Sequence, residues 1–178
     1  MTKHVASNLS KGRLEIDHNS RVVRIISKTG NCTIHKYQYS DLDSSDWGYI
    51  YEKYVGQKYE EEGFQVEYLG LHKGFLDGGM DIIISKDDFK AYIQCKFSTK
   101  SRACFGKQKI EWILYNASSF LSKQYNDKKL NFWLVVPTLA LIKKELQEYF
   151  LSKNNFQDKV KLELKAIPMP LLPIMSKS

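Results

Sequence analysis

Two short apolar runs, Ile82-Ile83-Ile84 and Ala91-Tyr92-Ile93, flank the polar stretch Ser85-Lys86-Asp87-Asp88-Phe89-Lys90. Their residues are β-branched or aromatic, so the segment reads as strand, loop, strand. The pairing follows from the pattern. If Ile84 faces Ala91 across an antiparallel pair, Ile83 faces Tyr92, Ile82 faces Ile93 and Asp81 faces Gln94, because opposed residues advance in opposite directions. Opposed residues share a face. One face is then Ile82, Ile84, Ala91, Ile93 and Cys95, wholly apolar, and the other carries Asp81, Gln94 and Lys96 together. A slip of one residue would bury the polar set.

That polar grouping has a chemistry. A carboxylate and an amide oxygen are hard ligands suited to Mg²⁺ or Mn²⁺, which take one or two carboxylates, several waters and phosphate oxygens of a substrate. A lysine two residues after the glutamine returns to the same face, where its ammonium orients a hydroxide or stabilises charge developing on a phosphorus centre. The plain alternative is a surface hairpin with a solvated polar face. With the DGGMD approach that runs from Asp77 to Asp81 and the QCK ending at Gln94, Cys95 and Lys96, the segment resembles the Mrr-like restriction endonucleases. These are a branch of the PD-(D/E)xK nuclease superfamily that carries glutamine where most relatives carry glutamate. The resemblance extends from Trp47 to about Phe120. It implies a metal-dependent DNA endonuclease, acting in restriction or defence against foreign DNA. Asp81, Gln94 and the Cys95 backbone carbonyl would be its metal ligands and Lys96 its catalytic cation. A Holliday-junction-resolvase-like nuclease, or a non-cleaving DNA-binding or assembly subunit of the same fold, are the rival readings.

Upstream, Trp47, Ile50, Tyr51, Tyr54, Val55 and Tyr59 recur at helical spacing over Trp47 to Glu62, an amphipathic helix with Asp46 to cap it and Gly63 to stop it. Glu52 lies at the edge of this stripe. In the resembling family a helical glutamate precedes the hairpin, which makes Glu52 a fourth catalytic candidate assisting the metal or its water; pairing with Lys53 or Lys58 is the alternative. Asp77, before two glycines, is a supporting residue of the turn.

The rest predicts an α/β fold, a mixed central β-sheet flanked by helices like the restriction-endonuclease core, with a small N-terminal β appendage. Phe64 to Leu69, Asn131 to Val136 and Val160 to Ile167 read as strands; Lys107 to Tyr125 and Leu139 to Ser152 read as helices. Leu14 to Ile16, Val22 to Ser27 and Cys32 to Tyr39 read as short strands separated by turn residues. The implied organisation is an appendage over 1–44, a nuclease-like core over 45–168 and an apolar, proline-rich tail over 169–178 that docks on the body or on a partner subunit.

Charge points to DNA as partner. Twenty-seven Lys and Arg stand against 20 Asp and Glu, a formal net charge of +7, and cations gather about the hairpin: Lys73 before it, then Lys100, Arg102, Lys107 and Lys109 after it. The three cysteines have no CxxC spacing, which argues against a zinc site or disulfide framework and fits a reducing cytoplasm. No apolar segment approaches a membrane span. Self-association as a homodimer, or membership of a larger complex, is left open.

Overall fold

The computed structural model describes residues 3–73, 79–100, 103–124, 129–153 and 159–169. The helix that governs the site, α2 (Ser44–Glu61), begins one turn earlier than its apolar stripe suggests. Asp43, not Asp46, is the N-cap: its carboxylate accepts from the N–H of Ser45 (2.8 Å) and of Asp46 (2.9 Å), while the Asp46 carboxylate accepts from Asp43 N–H (3.1 Å). This reciprocal box satisfies donors that a helix start otherwise leaves open. The other end is closed as expected by Gly63, whose φ of 85° suits glycine. Its N–H donates to Glu60 and that of Phe64 to Tyr59, the paired bonds of a Schellman stop.

Strands β4 (Gln65–Tyr68), β5 (Ile82–Lys86), β6 (Phe89–Cys95), β7 (Leu130–Val136) and β8 (Val160–Ala166) form one sheet in that order. The first three run antiparallel and the last three parallel. Ile82 pairs with Ile93, Ile83 with Tyr92 and Ile84 with Ala91, the register the apolar pattern requires. The polar stretch is mostly ladder rather than loop. Pairing continues to Lys86 and Phe89, leaving Asp87-Asp88 as a two-residue turn in which Asp87 takes φ 51°, a conformation aspartate tolerates better than most residues.

Both faces of the sheet are covered. On one, Ile82, Ile84, Ala91, Ile93, Cys95 and Val135 pack against Ile50, Tyr51, Val55 and Tyr59 of α2. On the other, Tyr92, Phe132, Leu134 and Val136 pack beneath Ile110, Ile113, Leu114 and Ala117 of α4 (Lys107–Leu121) and Phe150 of α5 (Lys144–Ser152). Parallel strands need such cover on both sides. The expected helix from Leu139 to Ser152 is split, with a 3₁₀ turn at Leu139–Leu141 before α5. The extended Ile142 that ends this turn is hydrogen-bonded through its carbonyl to Gln147.

The N-terminal strands β1 (Arg13–Asp17), β2 (Val22–Ile26) and β3 (Thr33–Gln38) form a separate antiparallel meander. Leu14, Val23 and Ile25 join the α2 core, and the buried side chain of Gln57 on α2 bonds both the N–H and C=O of Leu14. Two short helices, α1 (Lys3–Leu9) and α3 (Leu69–Lys73), have no counterpart in the sequence expectation. At the other terminus Tyr51 donates to Ile167 C=O (2.9 Å) and Tyr54 to Pro168 C=O (3.2 Å), while Met169 is buried in the α2 core. Of the tail, Met169 alone is described and docks on the body; residues 170–178 lie outside the described residues. Among the described residues no helix is long and apolar enough to cross a membrane.

Candidate active site

Asp81 stands where β5 begins and is held from several directions. Its N–H donates to Ile93 C=O (3.0 Å), and its carbonyl accepts from Leu69 N–H (2.8 Å) and Gly70 N–H (3.1 Å) of α3. Its carboxylate Oδ2 accepts from the N–H of Cys95 (2.6 Å). With 6% of its surface exposed, the carboxylate has little rotational freedom. Since the N–H and C=O of a strand residue point to the same side, the Cys95 carbonyl is directed to the same edge of β6 as Asp81.

Glu52 reaches this place from α2. A Cβ built on Gly70 would lie 2.4 Å from Glu52 Oε2 and 3.4 Å from Asp81 Oδ1, so the two carboxylates converge beside the bare α-carbon of α3. The lysines that offered an alternative partnership take other positions: Lys58 bonds Glu61 (3.0 Å), and the Lys53 ammonium lies 4.2 Å from the centre of the Tyr68 ring. The charges of Asp81 and Glu52 also register at the buried Cys95 thiol, which burial first, and then these two carboxylates, push well above its ordinary range against the opposing charge of Lys96. The thiol therefore stays neutral. Its place is in the α2 core.

Gln94 is 1% exposed, so the expected polar face of the hairpin is no solvated face. The alternation sends Gln94 to the Tyr92 side of the sheet, the side that α4 covers, because the parallel half of the sheet is buried on both sides. Its amide nitrogen lies 3.3 Å from where a Cβ on Gly79 would stand, and Cβ of Asn116, on α4, 3.2 Å from the same point. Gly79 adopts φ 81°, turning the approach into Asp81 as its place in DGGMD suggests. The amide oxygen of Gln94 is buried and finds no hydrogen-bond partner among the described residues. Leaving such an acceptor unsatisfied costs about 1–3 kcal/mol.

Lys96 follows β6 and is half-buried. Its N–H continues the ladder to Val135 C=O (2.9 Å). The ammonium of Lys109, in the first turn of α4, lies over the Trp112 ring at 5.2 Å; desolvation and the charge of Lys96 together lower its pKa. Lys100 is exposed. Lys107 is turned to Glu111 (3.7 Å) and Tyr149 (5.5 Å to the ring centre). Asp77 and Arg102 lie outside the described residues, as does the side chain of Lys73.

The two converging carboxylates and the strand-edge carbonyl are hard oxygens that suit a small divalent cation, and the buried amide oxygen of Gln94, on the α4 side beside Asn116, is a further donor of the same kind. Among the described residues no three His, Cys, Asp or Glu side chains cluster as a metal cage, so amide and carbonyl oxygens would have to complete the set. Two residues here escape a reading of the sequence. Gly70 makes room for Glu52, and Asn116 stands beside Gln94; each comes from an element remote from the hairpin in sequence. Residues 43–114 match the Mrr_cat family model, described as restriction endonuclease. The matched stretch is under half of the 178-residue chain, yet runs from the α2 cap through Glu52, Asp81, Gln94 and Lys96 into α4. No curated protein and no solved structure matches the chain.

Proposed function

Residues 43–114 are an Mrr-like restriction-endonuclease domain of the PD-(D/E)xK superfamily, and from that premise we propose that the chain is a metal-dependent DNA endonuclease that hydrolyses phosphodiester bonds in restriction or defence. The observation that carries this reading is the convergence of Glu52 and Asp81 at Gly70, at the strand edge where the Cys95 carbonyl and then Lys96 follow. A surface hairpin has no reason to bury one carboxylate beside another.

Asp81, Gln94 and the Cys95 carbonyl would hold Mg²⁺ or Mn²⁺, with Glu52 assisting at the metal or its water. The cation supplies Lewis-acid polarisation of the phosphate and a more acidic bound water. Asp81 contributes by its rigidity. A ligand tied through Oδ2 to Cys95 N–H and through its backbone to Ile93, Leu69 and Gly70 is already oriented before DNA arrives, so little ordering remains to be done at the moment of reaction. Lys96 carries its ammonium to the edge of this set, where it stabilises the charge that gathers on the phosphate oxygens in the transition state. Asp77 supports the turn leading to Asp81.

DNA is held by the basic rim. Lys100 and Lys109 stand next to Lys96 in sequence or in space, Lys73 and Arg102 flank them in the chain, and Lys107 reinforces the start of α4. The cationic excess of the chain gives binding a steep salt dependence, because each neutralised phosphate releases counterions.

The test is nicking of supercoiled plasmid. The purified chain should cut with Mg²⁺ or Mn²⁺ and stop when a chelator is added. Lys96→Ala should cut on the order of 10²-fold more slowly while keeping its fold and most of its DNA affinity. Undiminished cutting by that variant would remove Lys96 from the chemistry, and a parent protein inert with either cation would sink the nuclease reading.

A further inference from the structure

Trp112 is 52% exposed and Tyr115 72% exposed on α4, whereas the chain's other tryptophans, Trp47 and Trp133, are 2% and 5% exposed. The position of Trp112 is what matters. On a helix, residues three and four apart are neighbours on one surface, so Lys109 and Asn116 flank Trp112 along a single strip. Each borders the candidate site: Asn116 meets Gln94 across Gly79, and Lys109, lowered first by desolvation, also feels the charge of Lys96. The indole thus sits at the rim of the candidate site, between the residue beside the catalytic lysine and the residue beside the buried amide.

Resting on the nuclease reading, we propose that Trp112 stacks on an unpaired or extruded nucleobase next to the bond that is cut, so that the preferred substrate is DNA with a base out of its duplex stack. In an intact duplex the base faces are covered by their neighbours, and a surface indole reaches one only when the base is single-stranded, bulged or flipped. Charge agrees with this occupant: the strip holds a lysine and an amide beside the indole, on a chain of formal net charge +7. A second protein copy is the poorer fit. A stable dimer buries about 800 Å² of each partner around an apolar centre, and the neighbours of Trp112 towards the site are polar. Tyr115, three residues on from Trp112 and so its neighbour on α4, extends the aromatic surface outward.

The experiment is DNA titration of the full chain in the presence of a chelator, so that nothing is cut. The probes are a fluorescein-labelled duplex and the same duplex carrying one unpaired nucleotide. Emission from the exposed tryptophan should be quenched by the second probe, which should bind about tenfold more tightly than the first. Trp112→Ala should bring the two affinities together, Trp112→Phe should keep part of the difference, and neither should alter the salt slope, because no charge is lost. The inference is overturned if the parent shows no preference, or if the preference survives Trp112→Ala. It is equally overturned if the parent sediments as a dimer that Trp112→Ala dissociates. Failure of the parent to bind either probe strikes the nuclease reading itself, a result distinct from binding both equally.

Discussion

Gly70 is glycine because Glu52 occupies the space a side chain would take, 2.4 Å from the missing Cβ. An added methyl would meet the far end of a flexible side chain, so the carboxylate would swing away and the backbone would stay. Gly70→Ala should therefore leave the melting temperature close to the parent's while lowering cleavage at least about tenfold, as Glu52→Gln should. Combining the two should cost little beyond either alone, since both remove one interaction. Cleavage rates and thermal melts of the three proteins check this; full activity in Gly70→Ala would mean that Glu52 does not need its place beside Asp81. At this scale the pairing of Ile82 with Ile93, Ile83 with Tyr92 and Ile84 with Ala91 was legible from a period of two and an antiparallel register, and that pairing sets Asp81, Gln94, Cys95 and Lys96 at one end of the hairpin. Gly70 and Asn116 were not legible. Their roles arise only when α3 and α4 pack against the hairpin, and no local pattern encodes that approach. The apolar pattern also suggested an open polar face, whereas Gln94 is buried under α4.

Helix α2 positions Glu52, and its start is set by two aspartates three residues apart. Both have the chemistry of a cap, and the sequence pattern favoured the one nearer the apolar stripe. The structure uses Asp43 as the cap and Asp46 as its reciprocal partner. Asp43→Ala should accordingly cost about 1 kcal/mol and fray the first turn of α2, with denaturant melts and amide exchange at Ser45 and Asp46 as readouts. Exchange unchanged at those amides would show that other contacts hold the turn. Helices α2 and α4 and strands β4 and β8 match the sequence pattern because each displays a period, and β5, β6 and β7 because their runs are β-branched or aromatic. The short α1 and α3 lack the length for either signal. They are held by packing, as the burial of Val5, Leu9, Leu69 and Leu71 shows, and isolated helices so short have no stability of their own.

For the molecule as a whole, the core holds several phenols, Tyr39, Tyr51, Tyr59 and Tyr68 among them, and they set its response to alkali. Burial raises the pKa values of Tyr51, Tyr59 and Tyr68 and pushes Tyr39 up to about 12 from an ordinary 10.0. Cys95 is raised in the same sense from 9.0. A group whose folded pKa is raised keeps its proton while the unfolded chain gives it up, so its stabilising contribution is complete below the unfolded value and lost as pH climbs toward the folded one. Lys53 acts oppositely: burial lowers its pKa from 10.5, and its penalty is relieved as the pH rises. Desolvation lowers Lys109 likewise, so two lysines face four tyrosines and a cysteine, and stability should hold to about pH 9 and fall increasingly above about pH 10. Tyr51→Phe separates the causes. It loses the hydrogen bond to Ile167 (2.9 Å), which should cost about 1 kcal/mol at neutral pH, yet its melting temperature should decline less steeply with alkali than the parent's. Equal slopes for the two proteins would show that the Tyr51 phenol does not couple folding to pH.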